Sequence, residues 1–407
     1  MNILMLAEVS AATVIGGAER VLREQMLGLQ GRGHWVGSVV RMPGGDSRPQ
    51  MAVGAAVEHR YTVSRRNEPA FVLSSVVRSV RAFDRARRDL APDVAVIHQS
   101  VAGLGALLRR RASIGSWVYV CHSLAHEEYV SRTSKELPAI GPVRRALNRA
   151  ACLWIERAVI RRCARIVVLS EFMKRRVTAV HGVPESRIRV VPGGADPERF
   201  RPPDDPTAVR RRLKLPDDKV ILFVVRNLVP RMGLDNLLQA MAKLGDEAGD
   251  LLLLIGGEGG LRRTLERLIG ELRLARHVRL LGFVEEEELP LYYQAADLVL
   301  MPTQELEGFG LVTVEALACG TPVVGTPVGA IPEVLARLDQ RLIAEGNDGP
   351  SLAQAIRRTL CRFRDEPGEQ ERLSRAARQL VLNHYTWERH NEQLETVLTE
   401  AIKDREG

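Results

Sequence analysis

Residues 296–326 read ADLVLMPTQELEGFGLVTVEALACGTPVVGT. The stretch divides into an apolar run at 298–303, a glycine-bearing polar loop, a helical run from Leu311, and a second apolar run at 322–326. Strand, loop, helix and strand in this order make a βαβ unit, which needs a parallel sheet. The loop falls where the carboxyl end of a strand meets a helix N-terminus, the place where open α/β sheets bind ligands. Gly308 and Gly310, on either side of Phe309, let backbone approach a ligand closely, and the amides of Gly310, Leu311 and Val312 suit a phosphate. Glu307 and Glu315 are repelled by phosphate and suit neutral hydroxyls, as on a sugar and a ribose. One glutamate here reads as ordinary charge at a helix start; two around Gly-Phe-Gly argue for a ligand.

The same alternation extends in both directions. Upstream, apolar runs at 2–8, 35–42, 94–98, 116–122, 165–170 and 187–194 read as strands, with amphipathic segments such as 18–33 between them. Residues 196–219, rich in Pro, Asp and Arg and without an apolar face, interrupt the pattern. It restarts with runs at 220–226, 251–257, 278–284, 298–303, 322–326 and 341–345. The 407 residues are too many for one ordinary core. The expectation is an α/β protein of two doubly wound, Rossmann-like domains facing a central cleft. The first covers 1–200, a linker 201–216, and the second 217–385, with a C-terminal helix near 386–407 returning to the first.

Composition narrows the class. The longest apolar runs, 220–225 and 251–255, are far short of the roughly 20 residues of a membrane span. The N-terminus lacks a basic leader and reads as a buried strand. Five scattered cysteines without ligand spacing fit reduced thiols in a cytosolic chain. Residues 1–200 hold 31 Lys and Arg against 17 Asp and Glu, whereas the remainder is net acidic. A basic half fits an anionic partner, although solvated arginine faces would give the same count. Aromatic content of 4% and the lack of a recognition motif speak against nucleic acid.

The segment around Glu307 and Glu315 resembles the Glu-x7-Glu motif of retaining glycosyltransferases of the GT-B fold, specifically glycosyltransferase family 4. The resemblance covers nearly the whole chain, through GGAERVL (16–22), IVVLSEFMK (166–174), RIRVVPGGADPERF (187–200), LVPRMGLDNLLQA (228–240), LYYQAADLVLMPT (291–303) and GTPVVGTPVGAIPEVL (320–335). It implies that Glu307 touches hydroxyls of the transferred sugar, Glu315 holds the ribose, and the amides of 310–312 meet the diphosphate. Phe283 and Val284 fall where the family seats the base, and Gly16 and Gly17 match its N-terminal glycine loop. His122 matches a histidine near the reacting centre; His98, at the end of another strand, is a weaker candidate, and His126, His181 and the other histidines are expected on surfaces.

The chain departs from the family at one place. Where the family has Gly-Arg-x4-Lys-Gly after the first strand of the second domain, this chain reads RNLVPRMG, with Asn227 at the Arg position and Met232 at the Lys position. A leaving diphosphate needs cations or dipoles. Arg226 and Arg231 are the substitutes, Arg231 the better one, because a one-residue shift along a strand reverses side-chain direction.

IGGEGG (255–260) lacks the context of a dinucleotide fingerprint, no Asp-x-Asp occurs, and no His, Cys and carboxylate set has ligand spacing, so neither a cofactor nor a metal is expected. The basic amphipathic stretch 135–166, containing Trp154, suits an anionic membrane surface or an ordinary domain helix. These readings converge on a cytoplasmic hexosyltransferase, with peripheral attachment to the inner face of the membrane as a further expectation. Its donor is a UDP- or GDP-sugar and its acceptor a glycan, lipid or small-molecule hydroxyl. The alternatives are a sugar-nucleotide epimerase of the same fold and a weakened homologue that binds anionic surfaces.

Overall fold

A computed structural model describes residues 1–64, 66–107, 114–135, 141–245 and 250–406. The chain divides into two compact units, one comprising Met1–Val130, Ile140–Gly193 and Trp387–Gly407, the other Ser131–Ala139 and Gly194–Thr386.

The first unit carries strands β1 (Asn2–Ala7), β2 (Trp35–Arg41), β3 (Gln50–Val53), β4 (Ala56–Tyr61), β5 (Val94–Ile97), β6 (Ser116–Cys121), β7 (Arg165–Val168) and β8 (Ile188–Val190). Its helices are α1 (Gly17–Gly31), α2 (Glu68–Leu90), α3 (Ser100–Leu107), α4 (Ala125–Lys135), α5 (Pro142–Ile160) and α6 (Glu171–His181). The sheet runs β3-β4-β2-β1-β5-β6-β7-β8, parallel except for β3. Strand alternation divides the core. Leu4 and Leu6 of β1 join one cluster with residues of α2, α3, α5 and α6, while Ile3, Met5 and Ala7 join another with α1. A central parallel strand must be apolar on both faces, which is why β1 reads as a continuous apolar run.

The hairpin β3–β4 did not stand out in the sequence. Its second strand contains Glu58, His59 and Arg60, which break the apolar signal yet are all buried. Glu58 accepts hydrogen bonds from Ser10 Oγ at 2.7 Å, the Ala11 amide at 2.8 Å and Arg60 Nε at 2.7 Å, and Arg60 also reaches Asp46 at 2.6 Å. The charges are tolerated because each is paired, and they tie down the chain leaving β1.

The second unit holds β9 (Val220–Val225), β10 (Leu251–Gly256), β11 (Val278–Gly282), β12 (Leu298–Met301) and β13 (Val323–Gly325) in the all-parallel order β11-β10-β9-β12-β13. Its helices are α7 (Pro206–Arg212), α8 (Leu234–Lys243), α9 (Arg262–Glu271), α10 (Leu289–Ala295), α11 (Leu311–Ala318), α12 (Ile331–Leu335), α13 (Gly349–Asp365) and α14 (Glu369–His384). The strand order reverses between β9 and β12, so the crevice at their carboxyl ends is a switch point. Residues 341–345 are not a strand: a 3₁₀ turn at Gln340–Leu342 leaves a single bridge from Ile343 to Gly325. The acidic and basic residues around this segment prefer the turn, where Asp339 accepts from the Arg341 amide at 2.9 Å.

The expected linker is also structured. Asp205 caps α7 by accepting from the amides of Thr207 and Ala208, and Arg210 pairs with Asp297 at 2.7 Å. Residues 194–200 belong to the second unit, because Phe200 is buried and Arg378 donates to the Pro197 and Phe200 carbonyls. The last helix, α15 (Trp387–Glu406), packs on α1 in the first unit and adds Leu394, Val397, Leu398 and Ala401 to its core. No helix among the described residues is long and apolar enough to cross a membrane.

Candidate active site

In the second unit the quoted stretch folds as β12, a loop, α11 and β13. Gly310 caps α11 at φ 86°, a left-handed conformation that favours glycine, and no side chain caps the helix. The first amides of α11, at Leu311 and Val312, therefore face outward at the positive end of the helix dipole. Leu306 also lies at positive φ, 58°, which is costly for a branched side chain. The neighbouring turn holds it there: the Arg231 carbonyl accepts from the Gln304 amide at 2.9 Å, and Arg231 Nη1 donates to the Leu306 carbonyl at 3.3 Å.

Glu307 is nine-tenths buried and its carboxylate is ion-paired with Arg226. Thr303, at the end of β12, joins both: its hydroxyl accepts from Arg226 at 2.9 Å and donates to Glu307 at 3.2 Å. Arg226 therefore does not point away from the site. It lies one residue past β9, where strand alternation no longer sets side-chain direction, and its own chain is held by a bond from its amide to the Gly256 carbonyl at 3.0 Å. Of the two substitutes, Arg226 is the one brought to Glu307, whereas Arg231 braces the loop.

The two departures from the family differ in setting. Asn227 is exposed, and Met232 is buried at 6% exposure. Glu315, on the second turn of α11, is also buried, at 2% exposure, and accepts from Tyr293 Oη at 3.0 Å. Past the end of β11, Phe283 is 47% exposed, next to the buried Val284. The glycines of IGGEGG have a structural use. A Cβ on Gly257, at φ 127°, would stand 1.9 Å from the Arg226 carbonyl oxygen, so only glycine lets the two loops pass. Gly308 and Phe309 complete the loop, and Phe309 is buried against Tyr385.

In the first unit, His98 follows β5 and His122 follows β6. His98 Nδ1 and His122 Nε2 are 3.0 Å apart, one donating and the other accepting, and the rings stack at 5.3 Å. His98 is buried with its Nε2 unpartnered. Burial holds His98 well below the usual imidazole range and takes His122 down to about 4. Near them lies His390 of α15, a residue without any sequence signal, since it is almost 270 positions away from His122. Its Nδ1 donates to the Pro192 carbonyl at 2.7 Å, so its Nε2 accepts from Gln25 at 2.9 Å. Burial takes His390 down to about 4 as well.

Gly16 caps α1 in extended backbone, so conformation alone does not require glycine there, and Gly17 opens the helix. His126 and His181, expected on surfaces, are buried. His181 contacts Glu156 at 3.1 Å and His126 lies 3.7 Å from the same carboxylate, which also accepts from Tyr119. Burial pushes the Glu156 carboxyl up, but the neighbouring His126 and the hydrogen bonds from His181 and the Ala125 amide outweigh it and hold it below the usual range. Among the described residues, no group of three or more His, Cys, Asp or Glu is arranged to hold a metal ion.

Comparison with known proteins follows this division. Residues 15–199 match the family model Glycosyltransferase Family 4, and residues 205–380 match Glycosyl transferases group 1. A D-inositol 3-phosphate glycosyltransferase of Geodermatophilus obscurus is 33% identical over 322 residues, covering 77% of this chain and 67% of the relative. A GDP-mannose-dependent alpha-(1-6)-phosphatidylinositol monomannoside mannosyltransferase of Mycolicibacterium smegmatis is 30% identical over 249 residues, 60% of this chain and 64% of the relative. The alignments thus span about two thirds of these relatives. In structure, sucrose-phosphate synthase from Thermosynechococcus elongatus superposes with a TM-score of 0.85 at 22% identity, covering 99% of this chain and all of that one. Anabaena HepE in complex with UDP and glucose gives 0.74 at 19% identity, covering 98% and 99%.

The fold is that of the GT-B glycosyltransferases. The chain belongs to glycosyltransferase family 4, a family of sugar-transferring enzymes.

Proposed function

We propose that this chain is a retaining hexosyltransferase, moving a sugar from a nucleoside diphosphate to the hydroxyl of a glycan, lipid or small polyol. The observation that carries the reading is the set at the β9–β12 switch point: a buried carboxylate, Glu307, locked by Arg226 and Thr303 beside the uncapped N-terminus of α11. Glu307 accepts hydrogen bonds from sugar hydroxyls. The amides of Gly310, Leu311 and Val312 take the diphosphate, with Arg226 supplying the cation that Asn227 and Met232 do not. Glu315, oriented by Tyr293, accepts from the ribose, and Phe283 with Val284 seats the base. The relative named for GDP-mannose and the neighbour with bound UDP both support a nucleoside diphosphate donor.

In the first unit the candidate residues are His122, held by His98, and the loop at Gly16 and Gly17. His122 is neutral at pH 7 by the burial that lowers it, so it acts as a hydrogen-bonding group rather than a charge. The leaving phosphate oxygen receives the acceptor proton, so no protein base is assigned. The charge that develops on the diphosphate is met by amides and arginine, so no metal enters the reading.

Thermal unfolding with UDP-, GDP- and ADP-sugars tests donor binding, because a ligand of the folded state at 100 times its Kd adds about 2.7 kcal/mol. One nucleotide class is expected to raise the midpoint, and Glu307→Gln to abolish most of the rise. With that donor, nucleoside diphosphate is expected to appear only with an acceptor, unaffected by EDTA, and the product to keep the donor's anomeric configuration by NMR. Conversion of the sugar nucleotide without diphosphate release would instead establish an epimerase.

A further inference from the structure

Helix α5 presents an apolar stripe to solvent. Val143 is 73% exposed, Leu147 66% and Trp154 67%. Spacings of four and seven residues bring the three onto one face, since each residue turns the helix by about 100°. The opposite face is what holds the helix in place, with Glu156, Val159 and Ile160 buried. The first unit could have kept α5 with polar residues at 143, 147 and 154, so its core does not explain them.

Charge identifies the occupant. The charged residues of α5 are Arg144, Arg145, Arg149, Arg157 and Glu156. Glu156 is fully buried against His181 and Tyr119, so every charge that α5 shows to solvent is positive. Arg144 and Arg149 are exposed in the same turns as Val143 and Leu147, and Arg161 and Arg162 extend the series past the helix end. A protein partner would need a groove lined with carboxylates. A bilayer with anionic headgroups meets arginines at its surface and takes leucine, valine and the amphipathic indole just beneath them. Residues 136–140 of the basic stretch lie outside the described residues.

We infer that α5 is a lipid-docking surface, lying in the plane of an anionic membrane with Val143, Leu147 and Trp154 inserted and Arg144 and Arg149 at the headgroups. The inference stands apart from the transferase reading, since a membrane-bound protein of any activity would show it.

The test is co-sedimentation of the full chain with vesicles of phosphatidylcholine alone and of phosphatidylcholine mixed with phosphatidylglycerol. Wild type is expected to bind the mixed vesicles, to bind neutral ones much more weakly, and to be released by salt. The pair Leu147→Ser and Trp154→Ala is expected to lower partitioning on the order of tenfold or more on the mixed vesicles. Arg144→Gln with Arg149→Gln is expected to lower it on the order of tenfold on mixed vesicles only. Trp35→Phe, at another exposed tryptophan, is expected to leave it unchanged. All substituted side chains are on the surface, and thermal unfolding checks that the fold is kept. Absence of binding, or binding indifferent to the α5 substitutions, would overturn the inference. So would self-association without lipid that the same substitutions abolish, since the stripe would then cover a second copy.

Discussion

At the level of single residues, the site turns on where Arg226, Asn227 and Met232 project. Arg226 reaches the carboxylate of Glu307 from one position before the usual arginine, and Thr303 closes the triangle. Met232 is buried, so a lysine placed there would lose its hydration without a preformed partner. Met232→Lys is expected to destabilise the protein by about 2–4 kcal/mol, and Asn227→Arg by no more than about 0.5 kcal/mol, read by chemical denaturation. Donor affinity is expected to rise with Asn227→Arg; turnover appearing from an undetectable level in that variant would show the natural chain to be a weakened homologue. That Glu307 and the 310–312 amides share one loop at the end of β12 was legible from residue type and spacing. The direction of Arg226 was not, because it depends on β9 ending at Val225.

At the scale of elements, the loops between strands and helices are held by close backbone passages. Gly257 crosses the Arg226 carbonyl, and the Leu228 amide bonds to the Glu258 carbonyl at 2.8 Å, so the β10–α9 loop positions the chain that carries Arg226. Gly257→Ala is expected to cost on the order of 3 kcal/mol and to weaken donor binding, because both a positive φ and a backbone clash oppose it. In contrast, Gly270, in α9 with open space around it, is expected to gain about 0.5–1 kcal/mol on replacement by alanine. Differential scanning calorimetry reads both. The long apolar strands and α1, α11 and α15 could be placed from periodicity. The hairpin β3–β4 and helix α7 could not: their stability comes from buried ion pairs and a cap, which a scan for apolar residues does not register.

Across the whole molecule, the first unit is assembled from distant parts of the chain. Helix α15 returns to it and delivers His390 to Gln25 and the Pro192 carbonyl. His390, at 1% exposure, is lowered to about 4 from 6.5, so the folded state stays neutral while an unfolded imidazole takes up a proton. Its stabilisation is complete above about pH 6.5 and is lost as pH falls toward 4, by up to roughly 3 kcal/mol for one such group. His98 and His122 act in the same direction. Unfolding midpoints measured from pH 7 to pH 4 are expected to fall, and His390→Gln to make that fall shallower; an unchanged slope would refute the assignment. Glu156 contributes only at the acid end of this range, because its carboxyl lies below the usual 4.5.

The sequence by itself determined the doubly wound class and the carboxylates and amides at the end of β12, because hydrophobic periodicity and glycine spacing are local properties. Only the tertiary structure decided which cation meets Glu307, that His98 pairs with His122 while His390 is buried on α15 in the same unit, and that α5 keeps an apolar face in solvent. Each depends on which side chains burial brings together or leaves uncovered, and burial is a property of the packed chain.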